Sequence, residues 1–360
     1  MVKKLFIKEI GRKEMTRKVK IGNVIIGGGE KIAVQSMSVF KPSDTENAVR
    51  EALELKTAGC DILRFSVNDF NDAAAFREIK DRAGIPLVAD IHFDYKLAIA
   101  AIEGGADKIR INPGNVGGEN NVREIARALI ERKIPVRVGS NTGSIEKEFL
   151  VKYGKNEVSL GESALKNVRI LENAGVEDIV ISVKASSVPL AVKAYRYVAK
   201  RCDYPLHIGV TEAGTEYSGI IKNAAAMGAL LSDGIGDTIR VSLSAPPVRE
   251  VLAGRKILSA LELIHDEPEL IACPTCGRCE WDCMNFAKKT EEFLLTTKGR
   301  IKVAVMGCAV NGPGEAKDAD IGIAGGKDGC IIFVKGEPVK KVKKEDAEKE
   351  FFGEIEKCIR

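Results

Sequence analysis

Between Ile32 and Leu243 short β-branched runs alternate with stretches whose apolar residues recur at helical spacing. The strand candidates are Ile32–Met37, Ile62–Val67, Leu87–Phe93, Lys108–Asn112, Val136–Ser140, Ile179–Lys184, Leu206–Thr211 and Thr238–Leu243. Helical patterns such as ENAVREALELKTAG, VREIARALIERK and GESALKNVRILENAG lie between them, several closing on Gly, which tolerates the left-handed helix end. A helix, a small-residue turn, an acid and a strand recur as one phrase in TAGCDILRF, EGGADKIRI and NAGVEDIVI. About eight such units in roughly 250 residues predict a TIM-type (β/α)8 barrel over residues 1–255. An open doubly wound sheet competes, but it usually carries a Gly-rich first turn, and no clean GxGxxG is present. Ahead of the first barrel strand, VKIGNVIIGG reads as a hairpin turning at Gly22-Asn23, placed to plug the barrel's bottom.

The pattern changes after the helical stretch APPVREVLAGRKILSALEL. A cysteine cluster follows, then a helical segment (EFLLTTK), a strand (IKVAVMG), a Gly-rich loop, a strand pair around Ile321–Ala324 and Cys330–Val334, and a Lys/Glu-rich helix. This predicts a smaller α/β domain over residues 256–360. KKVKKEDAEKE reads as a solvated face.

Composition narrows the function classes. Against 51 acidic residues stand 55 basic ones, a net charge of +4, too small an excess to indicate nucleic-acid binding. No apolar run reaches the length of a membrane span, and MVKKLFIKEIGRKEM lacks the apolar stretch of a secretory leader. A soluble, cytoplasmic protein is expected, where thiols stay reduced. Nine cysteines then need a reason other than disulfides, and five of them fall between Cys273 and Cys308.

Counting by twos along each strand assigns the side chains that point inward toward the barrel mouth. Arg64 shares a face with Ser66, Asp90 with His92, Arg110 with Asn112, and Arg137 with Asn141. Ser182 pairs with Lys184, His207 with Thr211, and Arg240 with Ser242 and Ser244. One strand Arg is usually a surface or ion-paired residue. Five cations converging from different strands (Arg64, Arg110, Arg137, Lys184 and Arg240) are costly to bury without a polyanion. Arg forks suit a diphosphate, and Asn112, Asn141, Ser242 and Ser244 add neutral hydrogen bonds. Asp90 and His92 form an acid/His pair suited to holding a hydroxyl or relaying a proton, and His92 reads equally well as an orienting core histidine. The barrel is predicted to bind an anion.

Cys273, Cys276, Cys279 and Cys283 form C-x2-C-x2-C-x3-C, and Cys308 follows in MGCAVNGPGE, which ends at Glu315. A structural zinc site normally separates its ligands into two pairs, so this density favours an iron–sulfur cluster. Spacing alone favours Cys279 among the ligands, and the first run also resembles a ferredoxin ligand set without its usual closing Pro. A pure electron carrier with the barrel as docking scaffold, and a barrel lyase with a zinc tail, are the competing functions.

CPTCGR followed by MGCAVNGPGE, downstream of VADIHFDYKLA, KIRINPGN, PVRVGSNTGS, LHIGVTEAG and GIGDTIRVSLS, closely resembles the 4-hydroxy-3-methylbut-2-enyl diphosphate synthases in their bacterial two-domain form. The resemblance spans nearly the whole chain. It implies reductive ring opening of methylerythritol cyclodiphosphate in isoprenoid biosynthesis. It also implies a [4Fe–4S] cluster on Cys273, Cys276, Cys308 and Glu315, leaving Cys279 and Cys283 as bystanders. A carboxylate is a harder, more exchangeable ligand than thiolate, which suits an iron that opens to substrate oxygen. The same resemblance places the diphosphate on the basic crown and makes Glu212 a substrate or proton contact. It implies ferredoxin or flavodoxin as donor, and a head-to-tail homodimer. Asp233 departs from the Glu expected in some relatives. Cys60, Cys202, Cys330 and Cys358 read as ordinary packing residues.

Overall fold

The computed structural model describes residues 15–297, 299–308, 314 and 316–359. The chain divides into two compact units between Leu263 and Ile264.

The first unit is built on eight parallel strands: β3 (Ala33–Met37), β4 (Ile62–Ser66), β5 (Leu87–Asp90), β6 (Lys108–Arg110), β7 (Val136–Asn141), β8 (Ile179–Lys184), β9 (His207–Ile208) and β10 (Thr238–Ile239). Their order is β8-β7-β6-β5-β4-β3-β10-β9. A parallel bridge between Ile181 and Leu206 joins the two end strands and closes the ring. β-Branched residues such as Ile109, Val138, Ile181 and Ile239 are fully buried or nearly so, as a wall between two layers of side chains requires. All eight predicted strands are present. Several ladders end two to four residues before the predicted limit, at Asp90, Arg110, Ile208 and Ile239. At β6 the cause is local: Pro113 has no N–H to offer, and Asn112 turns its Oδ1 to the Gly114 N–H at 3.1 Å, starting a short 3₁₀ turn.

Ahead of the barrel, β1 (Val19–Ile21) and β2 (Val24–Ile26) form the expected hairpin, paired Ile21 to Val24. Gly22 takes φ +57 in the turn, where a Cβ would lie 3.0 Å from Asp107 Oδ1. Val19, Ile21 and Ile26 pack in one buried cluster with Ala33, Ile62, Val88 and Val180 near the strand beginnings. The hairpin thus plugs the barrel at the end opposite its mouth.

The second unit is a five-stranded sheet in the order β11 (Glu269–Ala272), β12 (Lys302–Met306), β13 (Ile321–Gly326), β14 (Gly329–Val334) and β15 (Glu337–Val342). β11, β12 and β13 are parallel, and the last two strands pair antiparallel. Helices Cys283–Leu295 and Ala347–Ile359 bury Phe286, Phe351 and Ile355 with Val303, Val305, Ile323 and Ile332. β11 and β15 were not among the predicted strands. β15 is an exposed edge rich in Lys, a composition that discourages further pairing and hides the strand pattern. Cys60 and Cys330 are buried as expected. Cys202 is half-buried and Cys358 exposed, on the outer face of an amphipathic helix, which corrects the packing assignment for Cys358.

Candidate functional site

Inside the barrel mouth one carboxylate organises the cations. Asp90 Oδ1 accepts from Arg110 Nη1 at 3.0 Å, and Arg64 Nε stands 3.6 Å from Oδ2. His92 Nε2 lies 3.8 Å from the same Oδ2, with its ring about half exposed on the loop after β5. A second carboxylate, Glu250 on helix Pro247–Ala260, accepts from Leu243 N at 2.8 Å and approaches Arg240 Nη2 at 3.5 Å. Arg137 is different. It is 2% exposed, and its Nε and Nη1 have no hydrogen-bond partner among the described residues. Lys184 is buried without a carboxylate within ion-pair reach among the described residues, its Nζ close against Gly209.

This crowding sets the protonation states. Burial alone pushes the Asp90 carboxyl up, but Arg64, Arg110 and Arg137 together hold it below the ordinary carboxylate range. Burial pushes Arg64 down to about 10, against the opposing pull of Asp90. Lys184 and Arg137 are driven well down, first by burial and then by each other's neighbourhood of cations. His207, wholly buried, bonds Thr238 Oγ1 through Nδ1 at 2.7 Å, and burial with Arg137 and Lys184 nearby keeps it neutral. Leaving such donors unsatisfied is expensive, and a bound polyanion removes that cost.

The predicted inward set therefore lies where parity put it, in two levels. Arg64, Arg137, Lys184, His207 and Asp90 are buried, with Arg110 and Arg240 partly so. Asn112 is buried and Asn141 and Ser242 half-buried, while Ser244, His92 and Glu212 are exposed at the rim. His92 is thus no core histidine. Glu212 has φ +55, a left-handed conformation unusual for a side-chain-bearing residue and common where a site fixes the backbone. Asp233 caps helix Glu216–Ser232 and pairs with Arg196 Nε at 2.7 Å. Three residues escaped the parity reading. Lys108 and Gln35 also point inward, bonded to each other at 3.2 Å, and Glu250 reaches the crown from a helix. Lys108 sits two positions before Arg110, so the count by twos contained it.

In the second unit the cysteines gather at one end of the parallel strands. Cys273 follows β11 and donates its N–H to Val305 O at 2.9 Å, and Cys308 follows the adjacent β12 after Gly307. A Cβ on Gly307 would lie 3.2 Å from Cys279 Sγ and 3.4 Å from Cys273 Sγ, so the missing side chain lets the backbone approach the thiols. Cys276 is exposed in the intervening loop, where Thr275 takes φ +62. Cys279 Sγ donates to Trp281 O at 3.2 Å. Cys283 is 1% exposed, and burial pushes its thiol up to about 12. Among the described residues no three His, Cys, Asp or Glu side chains form a preformed metal-holding group. Glu315 lies outside the described residues. Soft thiol donors at a glycine-bared backbone fit a thiolate-held metal centre.

Fold and site together define a parallel-barrel protein with a mouth rich in buried basic side chains and a separate thiol-bearing sheet unit. The chain belongs to the GcpE family: the GcpE TIM-barrel domain matches residues 16–255 and the GcpE protein C-terminal domain residues 269–357. A Clostridium perfringens protein named 4-hydroxy-3-methylbut-2-en-1-yl diphosphate synthase (flavodoxin) is 52% identical over 96% of this chain and 99% of its own. A Caldanaerobacter subterraneus protein of the same name is 53% identical over 98% of this chain and 99% of its own. Among solved structures, Plasmodium falciparum HPPK-DHPS aligns with TM-score 0.51 and 13% identity over 69% of this chain and 51% of that one, a likeness of fold alone.

Proposed function

We propose that the chain reductively opens 2-C-methyl-D-erythritol 2,4-cyclodiphosphate to 4-hydroxy-3-methylbut-2-enyl diphosphate, a step of isoprenoid biosynthesis, with flavodoxin as electron donor. A carbon–oxygen bond to phosphate breaks, a hydroxyl leaves as water, and a double bond forms as two electrons and a proton enter. The observation that carries this reading is the buried Arg137 guanidinium, two of its nitrogens without a partner among the described residues, amid cations that outnumber Asp90 and Glu250.

In this reading Arg64, Arg110, Arg137, Lys184 and Arg240 hold the diphosphate, with Asn112, Asn141, His207, Ser242 and Ser244 bonding its oxygens. Asp90 stays ionised and serves to aim Arg64 and Arg110. In this reading that role takes the place of holding a hydroxyl or relaying a proton. His92 and Glu212, exposed at the rim, meet the hydroxyl side of the substrate and manage its protons. Cys273, Cys276, Cys308 and Glu315 would hold a [4Fe–4S] cluster, with Cys279 and Cys283 outside the ligand set. When bound, the cluster supplies electrons and an iron able to act as a Lewis acid. The barrel thus serves the substrate and the C-terminal unit the cluster. A head-to-tail cytoplasmic homodimer completes the proposal, since the chemistry must be shielded from water.

Anaerobic turnover tests it. Reconstituted protein with reduced flavodoxin and the cyclic diphosphate should oxidise the donor only with substrate present and yield the linear diphosphate. Donor oxidation without product would return the chain to the electron-carrier reading.

A further inference from the structure

We infer that Lys108, on the floor beneath the basic crown, adjusts the charge of the site: it is a neutral amine in the free enzyme and takes up a proton when the diphosphate binds. The inference rests on the reading of the crown as a diphosphate site.

Lys108 is 0% exposed on β6, two residues before Arg110 and therefore roughly 6–7 Å deeper along the strand. Its ammonium has three hydrogens to satisfy. Its hydrogen-bond partner is the neutral Gln35 Oε1 at 3.2 Å, reaching across from β3, and the Gln35 amide nitrogen itself has no partner among the described residues. The groups turned toward this floor are Arg64 from β4, Arg137 from β7 and the neutral His207 from β9. In the level above, Asp90 on β5 is already engaged by Arg110 and Arg64, and Lys184 on β8 adds a further basic group. Among the described residues no carboxylate approaches the Lys108 nitrogen within 4.0 Å, the ion-pair limit. Burial, then Arg137 and Arg64, hold the amine well below the ordinary lysine range. A doubly charged diphosphate seated on Arg64, Arg110 and Arg137 reverses the field that disfavours the ammonium. With its nitrogen bonded to Gln35 and no exposed surface, Lys108 is assigned a role through charge and not through contact. Lys184 and His207 share the depressed proton affinity, so the share of Lys108 is read as the difference between the wild type and a variant at that position.

Calorimetric titration of the oxidised holoprotein with the cyclic diphosphate, anaerobically and without reductant, tests the inference. Comparing buffers of different ionisation enthalpy counts the protons exchanged, and the ligand's phosphodiester groups stay ionised throughout, so the count reads the protein. The wild type should take up one proton or more above neutral pH, with affinity falling up to about tenfold per pH unit for each proton taken up. Lys108→Met should bind with clearly less uptake than the wild type, by up to one proton, and a shallower pH dependence. Lys108→Gln serves as a second variant if the first folds poorly, folding being checked by circular dichroism. Unchanged uptake in a folded variant, or wild-type binding without uptake, overturns the inference. No binding of the cyclic diphosphate to the wild type would sink the crown reading itself, and the inference with it.

Discussion

Arg110 and Asp90 meet across adjacent strands, Nη1 to Oδ1 at 3.0 Å, in a register that sets the two residues side by side on β6 and β5. Arg64 closes on the other carboxylate oxygen from β4, so one acid fixes two guanidinium forks. Removing its charge leaves both forks uncompensated. Asp90→Asn should lower the stability of the unliganded protein by about 3 kcal/mol, as breaking a buried pair does. The cyclic diphosphate should recover an unusually large part of that loss, read as the rise in melting temperature on adding it. A variant as stable as wild type would show that Asp90 does not organise the crown.

Arg137 presents the opposite case, since it is buried without a carboxylate in ion-pair reach among the described residues. Arg137→Met should fold at least as stably as the wild type, because a buried unsatisfied charge is exchanged for packing. Its affinity for the cyclic diphosphate should fall roughly thirtyfold or more, the equivalent of about 2 kcal/mol for a lost charge-assisted bond. Denaturant unfolding and a binding titration on the same preparation read both effects. Loss of stability together with intact binding would make Arg137 a structural residue.

The thiols separate by environment. Cys279 is tied to Trp281 O, and Cys283 lies in the hydrophobic core of its unit. After anaerobic reconstitution, Cys279→Ala and Cys283→Ala should keep their iron and acid-labile sulfide. Cys273→Ala and Cys308→Ala should lose most of both. Retention by Cys276→Ala with loss by Cys279→Ala would restore the ligand set that spacing alone favours.

Lys108, Lys184 and His207 all bind protons less well folded than unfolded. The unfolded chain therefore carries more protons, and stability rises with pH up to the ordinary lysine range, with the histidine part complete above its usual 6.5. As pH falls toward the depressed values that stability is progressively lost. Melting temperature should climb from pH 6 to about 9 in the protein alone, and less steeply with the cyclic diphosphate bound. A flat profile would mean that these groups stay charged in the fold.

Much of this was legible in the chain. Eight aliphatic runs named the eight barrel strands, and alternation placed Arg64, Arg110, Arg137, Lys184 and Arg240 inside. Alternation cannot say which cation meets which acid, because that depends on the shear between strands. Nor could it find Glu250, which touches Arg240 only because helix Pro247–Ala260 folds back onto the wall. Lys108 and Gln35 obeyed the same rule as the crown but lay deeper than the mouth, where function was sought. The left-handed backbone of Glu212 leaves no mark on the surrounding VTEAG. Strands β11 and β15 are short or lysine-rich and largely exposed, so they carry no buried-strand pattern and are defined by pairing with β12 and β14.

The β1–β2 hairpin carries a consequence for traffic. Val19, Ile21 and Ile26 stopper one end of the barrel with side chains that have no polar atom to guide an ion through. On the proposed function the mouth is then a shared doorway, and a diphosphate product must back out past the same guanidinium groups that drew its precursor in. Tight capture and prompt release pull against each other there, so a crown that becomes too sticky would slow the enzyme through its exit and leave the bond-breaking step untouched.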